Sequence, residues 1–169
     1  MTPSHQTLAA RVAIVTGATA GIGLAIAADV AAAGARVVIN GRRPDKLDTI
    51  CADLNRDHPD KRVVSVVGDC VEQRIIDTLF DTARRAFAAD ADCIVINAGR
   101  GLSGSVVTSD PAQWEEMIRT NLLGAARLMR TAAQRLLGGP DPAAATLDAR
   151  WTSRPRDIIA IGSVVGRHV

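Results

Sequence analysis

The most restrictive stretch of this sequence is Thr16-Gly17-Ala18-Thr19-Ala20-Gly21-Ile22-Gly23. It follows Val12-Ala13-Ile14-Val15, a short continuous apolar run of the kind that forms a strand buried on both faces. From Ile22 the pattern turns helical, with Ile22, Ile26 and Val30 spaced to fall on one face. Gly17 suits a tight reversal, and Gly21 and Gly23 let main chain approach a ligand or a helix approach a sheet. A helix that begins directly after such a turn offers unpaired N–H groups and the positive end of its dipole, which favours a phosphate. The turn lacks the Gly-Lys-Ser/Thr ending of a nucleoside-triphosphate loop, and that class is excluded.

The rest of the chain repeats the alternation. Arg36-Val37-Val38-Ile39 reads as a second strand, after Gly34 at the C-terminal end of the first helix. Pro44-Asp45 opens a helix through Leu47, Ile50 and Leu54 that stops near Pro59. Val63-Val64-Ser65-Val66-Val67 is a third strand, and Ile75, Ile76, Leu79, Ala83 and Ala86 mark the next helix. Cys93-Ile94-Val95-Ile96 is a fourth strand. Asp110-Pro111, a capping residue and a proline at the first helical position, start a long helix to about Leu137. Its inward stripe is expected to be Trp114, Met117, Ile118, Leu122, Ala125 and Met129. Asp157-Ile158-Ile159-Ala160-Ile161 is a fifth strand. Strands alternating with helices predict an α/β fold, a Rossmann-like doubly wound parallel sheet. Right-handed crossovers then favour the strand order 3-2-1-4-5. The 169 residues are read as one domain. The stretch 138–156, with Pro140, Pro142 and Pro155, reads as an exposed loop insertion, with a functional lid as the other reading.

Composition narrows the function classes. A formal net charge of +2, with no basic tail or acidic block, gives no drive toward nucleic acid or a membrane surface. No apolar run is long enough for a membrane span, and Met1 to Arg11 carries no signal-peptide design. Cys51, Cys70 and Cys93 are widely spaced and odd in number, which predicts reduced thiols in a reducing, cytoplasmic compartment, and neither disulfides nor a metal site. His5, His58 and His168 are isolated and read as surface or terminal residues.

Other motifs stand in a meaningful order. Asn97-Ala98-Gly99 ends the fourth strand, Asn121 precedes Gly124 in the long helix, and Asp69 follows the third strand. Ile159-Ala160-Ile161-Gly162-Ser163-Val164-Val165-Gly166 carries a serine just beyond the fifth strand. With the TGxxxGIG spacing of the first turn, this series resembles the short-chain dehydrogenase/reductase family, from about residue 8 to the end. A methyltransferase-type glycine loop would explain neither Asn97-Ala98-Gly99 nor Ser163. The resemblance implies hydride transfer between a nicotinamide cofactor and a small carbonyl or alcohol substrate, in a homo-oligomer, dimer or tetramer. It implies that Gly17, Thr19, Gly21, Ile22 and Gly23 hold the pyrophosphate and that Asp69 contacts adenine. It makes Asn97, Ala98 and Gly99 the floor of the cofactor cleft, Ser163 the residue that hydrogen-bonds the substrate oxygen, and Asn121 the holder of a relay water. From the residues alone, Asn121 could equally be a structural amide on the inner helix stripe, and Ser163 a turn residue at the ligand-binding edge of the sheet.

At the end of the second strand the sequence reads Asn40-Gly41-Arg42-Arg43. An NAD site wants a carboxylate here for the ribose 2′-hydroxyl, and a glycine occupies the position. A guanidinium pairs with a phosphate but gains little from a bare hydroxyl. NADP(H) is therefore favoured over NAD(H), with Arg42 as the main contact; solvated arginines at a helix start are the alternative. One departure is plain. The family's general acid/base is a tyrosine with a lysine four residues on, expected about thirteen residues past Ser163, and this sequence contains no tyrosine. Two readings follow: a fragment of a longer reductase that lacks the catalytic Tyr and Lys and the family's C-terminal strands and helices, or a non-catalytic NADP(H)-binding module. The fragment is expected to be inactive, and its fifth strand to leave an apolar edge open.

Overall fold

A computed structural model of the protein describes residues 7–56, 58, 60–102, 105, 107–138 and 155–163. The continuous apolar runs form five strands: β1 (Val12–Val15), β2 (Arg36–Gly41), β3 (Val63–Val67), β4 (Cys93–Ile96) and β5 (Asp157–Ala160). All neighbouring pairs are parallel, and the order across the sheet is β3-β2-β1-β4-β5, as the alternation predicts. Between them lie α1 (Gly21–Ala32), α2 (Pro44–Asn55), α3 (Gln73–Phe87), α4 (Pro111–Ile118) and α5 (Ala125–Leu137). Residues 139–154, most of the expected insertion, lie outside the described residues.

The two-residue period of a strand sends alternate side chains to opposite faces, and both faces are covered. Ile14, Val38, Ile94 and Ile96 pack with Ile76 and Leu79 of α3 and Leu128 of α5. Ala13, Val15, Val37, Ile39 and Val95 pack with Ala27 and Ala31 of α1 and Leu47 of α2. The sequence pattern misplaces two helix faces and one residue. In α1 the fully buried positions are Gly23, Ala27 and Ala31; of the face read from Ile22, Ile26 and Val30, the last two pack partly buried against the same core and Ile22 is exposed. The small residues face the sheet because they let the helix sit close to it, and the larger ones fall to the flank. In α3 the last core contact is Phe87 and not Ala86, which is exposed.

The long helix begins as its cap predicts, with the Asp110 carboxylate accepting from Ala112 N at 3.0 Å, and it ends at Gly138. It is interrupted midway by a π-helical segment, Arg119–Gly124. An i→i+5 segment holds an extra residue in each turn, so an apolar stripe traced at 3.6 residues per turn loses register beyond it. Leu122 and Met129, expected inward, are exposed, as is Ile118 just before the segment, and the buried positions from there on are Gly124, Leu128, Thr131 and Ala132.

At the end of the sheet that carries the strand N-termini, Arg11 ties three strands. Its Nε donates to Asp92 Oδ1 at 2.8 Å and its Nη2 to Asp157 Oδ2 at 2.7 Å, while Asp92 Oδ1 also accepts from Val12 N at 3.1 Å. The Arg11 and Asp92 side chains are largely shielded, so removing one leaves a poorly hydrated charge and an unpaired strand N–H. Asp92→Ala is expected to lower unfolding stability by about 2–4 kcal/mol, read as a shift of the urea midpoint with unchanged slope.

Candidate functional site

The strand order reverses between β1 and β4, the place where open α/β sheets form a crevice at the strand C-termini. The crevice is built around Thr16, which is wholly buried. Its hydroxyl donates to Val95 O at 3.3 Å and accepts from Asn97 N at 3.1 Å and Ala98 N at 3.2 Å. The Asn97 amide returns across the gap, donating to Thr16 O at 3.0 Å and Gly17 O at 3.3 Å. The two strand ends are thereby stitched into one floor.

That floor leaves no room for side chains at two glycines. A Cβ on Gly17, whose φ is +66, would stand 2.8 Å from the Ala98 Cα. A Cβ on Gly23 would strike the Asn97 amide and lie 2.5 Å from Gly17 O. Gly23 is thus a packing residue beneath the turn. Above it the start of α1 carries no side-chain cap and no acid in its first turn, so its leading N–H groups and dipole face the crevice.

The cleft has a volume of about 410 Å³. Gly17, Thr19, Ile22, Arg42, Asp69, Asn97, Ala98 and Gly99 all line it, so the turn, the end of β2, the residue after β3 and the end of β4 converge as the sequence suggests. Gly21 and Gly23 belong to the turn and helix start without lining the cavity. Five further lining residues, Asn40, Gly68, Cys70, Arg100 and Thr120, carry no site reading in the sequence. Asn40 is buried at the end of β2, where its amide donates to Val66 O at 3.0 Å and Gly68 O at 3.1 Å and holds the β3 end beside it. Its alternation within an apolar strand was the available signal. Cys70, Arg100 and Thr120 complete the wall. Burial, reinforced by the neighbouring Asp69 carboxylate, pushes the Cys70 thiol up to about 11.

Asn121 stands in the π-helical segment and is exposed, not buried on an inner stripe. Its Oδ1 accepts from Arg100 N and its Nδ2 donates to Arg100 O, both at 2.9 Å. It therefore clasps the chain leaving the Asn97-Ala98-Gly99 motif, without lining the cavity. Ser163 lies beyond β5, whose partner is β4, and Ile161 N bonds Ile96 O at 2.9 Å. This puts the serine at the same sheet edge as the crevice, outside its lining. Arg42 is exposed and pairs with Glu116 across the mouth, while Arg43 donates to Thr19 Oγ1 at 3.1 Å. Among the described residues no group of His, Cys, Asp and Glu is placed to hold a metal ion, and no helix is long and apolar enough to cross a membrane.

Comparison with known proteins agrees with this fold. The sequence model of the family described as short chain dehydrogenase matches residues 11–168. An uncharacterized oxidoreductase of Staphylococcus aureus is 32% identical over 127 residues, covering 75% of this chain and 53% of the relative. One of Staphylococcus epidermidis is 33% identical over the same length and shares of each chain. The chain thus spans about half the length of the curated relatives it matches. Among solved structures, the L-sorbose reductase of Gluconobacter frateurii, complexed with NADPH and L-sorbose, superposes with a TM-score of 0.65 at 31% identity. That match covers 73% of this chain and 46% of the reductase. A protein of Agrobacterium tumefaciens, provisionally described as a gluconate dehydrogenase, gives a TM-score of 0.76 at 28% identity, covering 96% of this chain and 57% of its own.

Two outcomes follow from the geometry. Asn97→Ala, which strips the carbonyls of Thr16 and Gly17 of their donor, is expected to cost about 1–3 kcal/mol in a denaturant titration. Cys70, with its thiol held up at about 11, is expected to react with iodoacetamide at pH 8 on the order of a hundredfold slower than in the unfolded chain. Peptide-resolved mass spectrometry should show the rate climbing as pH rises toward that value.

Proposed function

This chain belongs to the short-chain dehydrogenase family, and on that footing we propose that it serves an NADP(H)-dependent oxidoreductase acting on a small carbonyl or alcohol substrate. The observation that carries the cofactor reading lies at the end of β2. The space a side chain at Gly41 would need is filled by the Thr19 methyl. A ribose-binding carboxylate has no room there unless Thr19 turns and gives up its bond to Arg43. Arg42 and Arg43 line the same end of the cleft, and their charge suits a 2′-phosphate. The likeness to a reductase seen with NADPH supports the same choice.

In this reading Gly17, Thr19, Gly21, Ile22 and Gly23, with the uncapped start of α1, take the pyrophosphate. Arg42 takes the 2′-phosphate, Asp69 faces the adenine, and Asn97, Ala98 and Gly99 form the floor toward the nicotinamide. The cofactor, when bound, supplies or accepts the hydride. Ser163 positions the substrate oxygen. Asn121 uses one oxygen lone pair and one N–H on Arg100, which leaves one of each for a relay water. The family's proton donor is a tyrosine, and none occurs in these 169 residues, so turnover requires a donor outside this sequence. The alternative reading is a module that binds NADP(H) without turnover. The exposed apolar residues Ile118, Leu122, Leu123 and Met129 support self-association of the whole protein, and free thiols suit a reducing, cytoplasmic setting.

Fluorescence titration tests the cofactor reading directly. NADPH is expected to bind at least about tenfold tighter than NADH, and Arg42→Ala to erase that difference while leaving NADH binding unchanged. Equal or tighter binding of NADH overturns it. Oxidation of NADPH by carbonyl compounds, in a protein extended to carry the tyrosine, separates the enzyme from the binding module.

A further inference from the structure

A single carboxylate spans the mouth of the cleft. Glu116 of α4 places Oε1 3.5 Å from Nη1 of Arg42, and its Oε2 pairs with Nη1 of Arg100. Arg42 follows β2 and Arg100 follows β4, so Glu116 links the two walls from a third element. The pairs are unequal. The Arg42 side chain is 65% exposed and that of Arg100 29%. The main chain of Arg100 is also pinned at its N–H and its C=O by the Asn121 amide. Arg100 is the fixed partner, and Arg42 is the one free to leave.

We propose that Glu116 and Arg100 together set how strongly the cleft discriminates for a 2′-phosphate, Glu116 by holding Arg42 and Arg100 by restraining Glu116. The proposal rests on the NADP(H) reading above. A phosphate that draws Arg42 away takes little from an exposed ion pair, because such pairs are weak. It does bring a dianion close to a carboxylate that has just lost a counter-ion. Arg100 keeps that carboxylate neutralised and held to its own wall. An adenosine group without the 2′-phosphate has no claim on Arg42 and is indifferent to the exchange. The other charged neighbours do not substitute for this pair: Arg43 is engaged with Thr19, and Asp69 lies at the end of β3 with Oδ1 accepting from Val71 N. Glu116 and Arg100 are positioning residues that act through Arg42.

Calorimetric titration with adenosine 2′,5′-bisphosphate and with 5′-AMP reads this end of the cleft alone. Glu116→Gln is expected to tighten the bisphosphate by about three- to tenfold at low salt and to leave 5′-AMP within about twofold. Arg100→Gln is expected to weaken the bisphosphate when Glu116 is present and to have less than about a twofold effect in the Glu116→Gln background. A preserved preference for the bisphosphate that Glu116→Gln does not move overturns the inference and spares the cofactor reading. So does an Arg100→Gln loss of equal size in both backgrounds, since Arg100 then meets the phosphate itself. Equal binding of the two probes by the unaltered protein overturns the cofactor reading and this inference with it.

Discussion

The hydroxyl of Thr16 is the junction on which the rest of this structure depends. The connections that follow the paired strands β1 and β4 leave the sheet toward opposite faces, and the crevice between them exposes main-chain groups. Thr16 meets this with one buried oxygen that serves three main-chain partners, and Asn97 closes the circuit from the other side. With β1 and β4 joined, the turn after β1 is held against the Asn97-Ala98-Gly99 segment so closely that only glycine fits at positions 17 and 23. The position of α1, the direction of its N-terminus and the depth of the cleft all follow from that contact.

Much of this was legible in the residues. Five apolar runs, separated by helical periodicity and punctuated by Gly34, Pro44 and Asp110-Pro111, fix the elements to within a residue or two, because burial on both faces demands uninterrupted apolar strands. The glycine turn and the residues after β2, β3 and β4 pointed to one edge, and they meet there. What escaped the sequence escaped for physical reasons. Periodicity ranks a helix face by hydrophobicity, whereas α1 needs its smallest residues inward to approach the sheet. The π-helical segment breaks a regular stripe without any proline or glycine pair to announce it, so Leu122 and Met129 were placed on the wrong side. Glu116 sits on an exposed helix face among other polar residues, and only the fold brings it to Arg42 and Arg100.

Asn121 shows how a side chain that clasps the main chain can also stand where a chemical role is proposed for it. Its amide fixes the main chain of Arg100, and its position in the π-helical segment sets it at the rim of the cleft rather than in the core. Irregular helical turns of this kind recur at functional sites because they redirect main-chain groups that a regular helix would keep to itself. The clasp also connects two aspects of the proposed function. The residue assigned to proton relay anchors the arginine that restrains Glu116, so the adenosine end and the reacting end of the cleft share a support.

The contact between Gly41 and Thr19 carries a consequence for how such a cleft can diverge. The two positions are far apart in the chain, yet they compete for the same volume, and the Thr19 hydroxyl is itself committed to Arg43. An acidic residue arriving first at position 41 meets an obstacle, while a smaller residue arriving first at position 19 clears the way. The order of substitution therefore matters here: only the order that shortens position 19 first avoids a clash between the two side chains. While Thr19 keeps its present rotamer, position 41 admits no side chain, whatever the other end of the cleft requires.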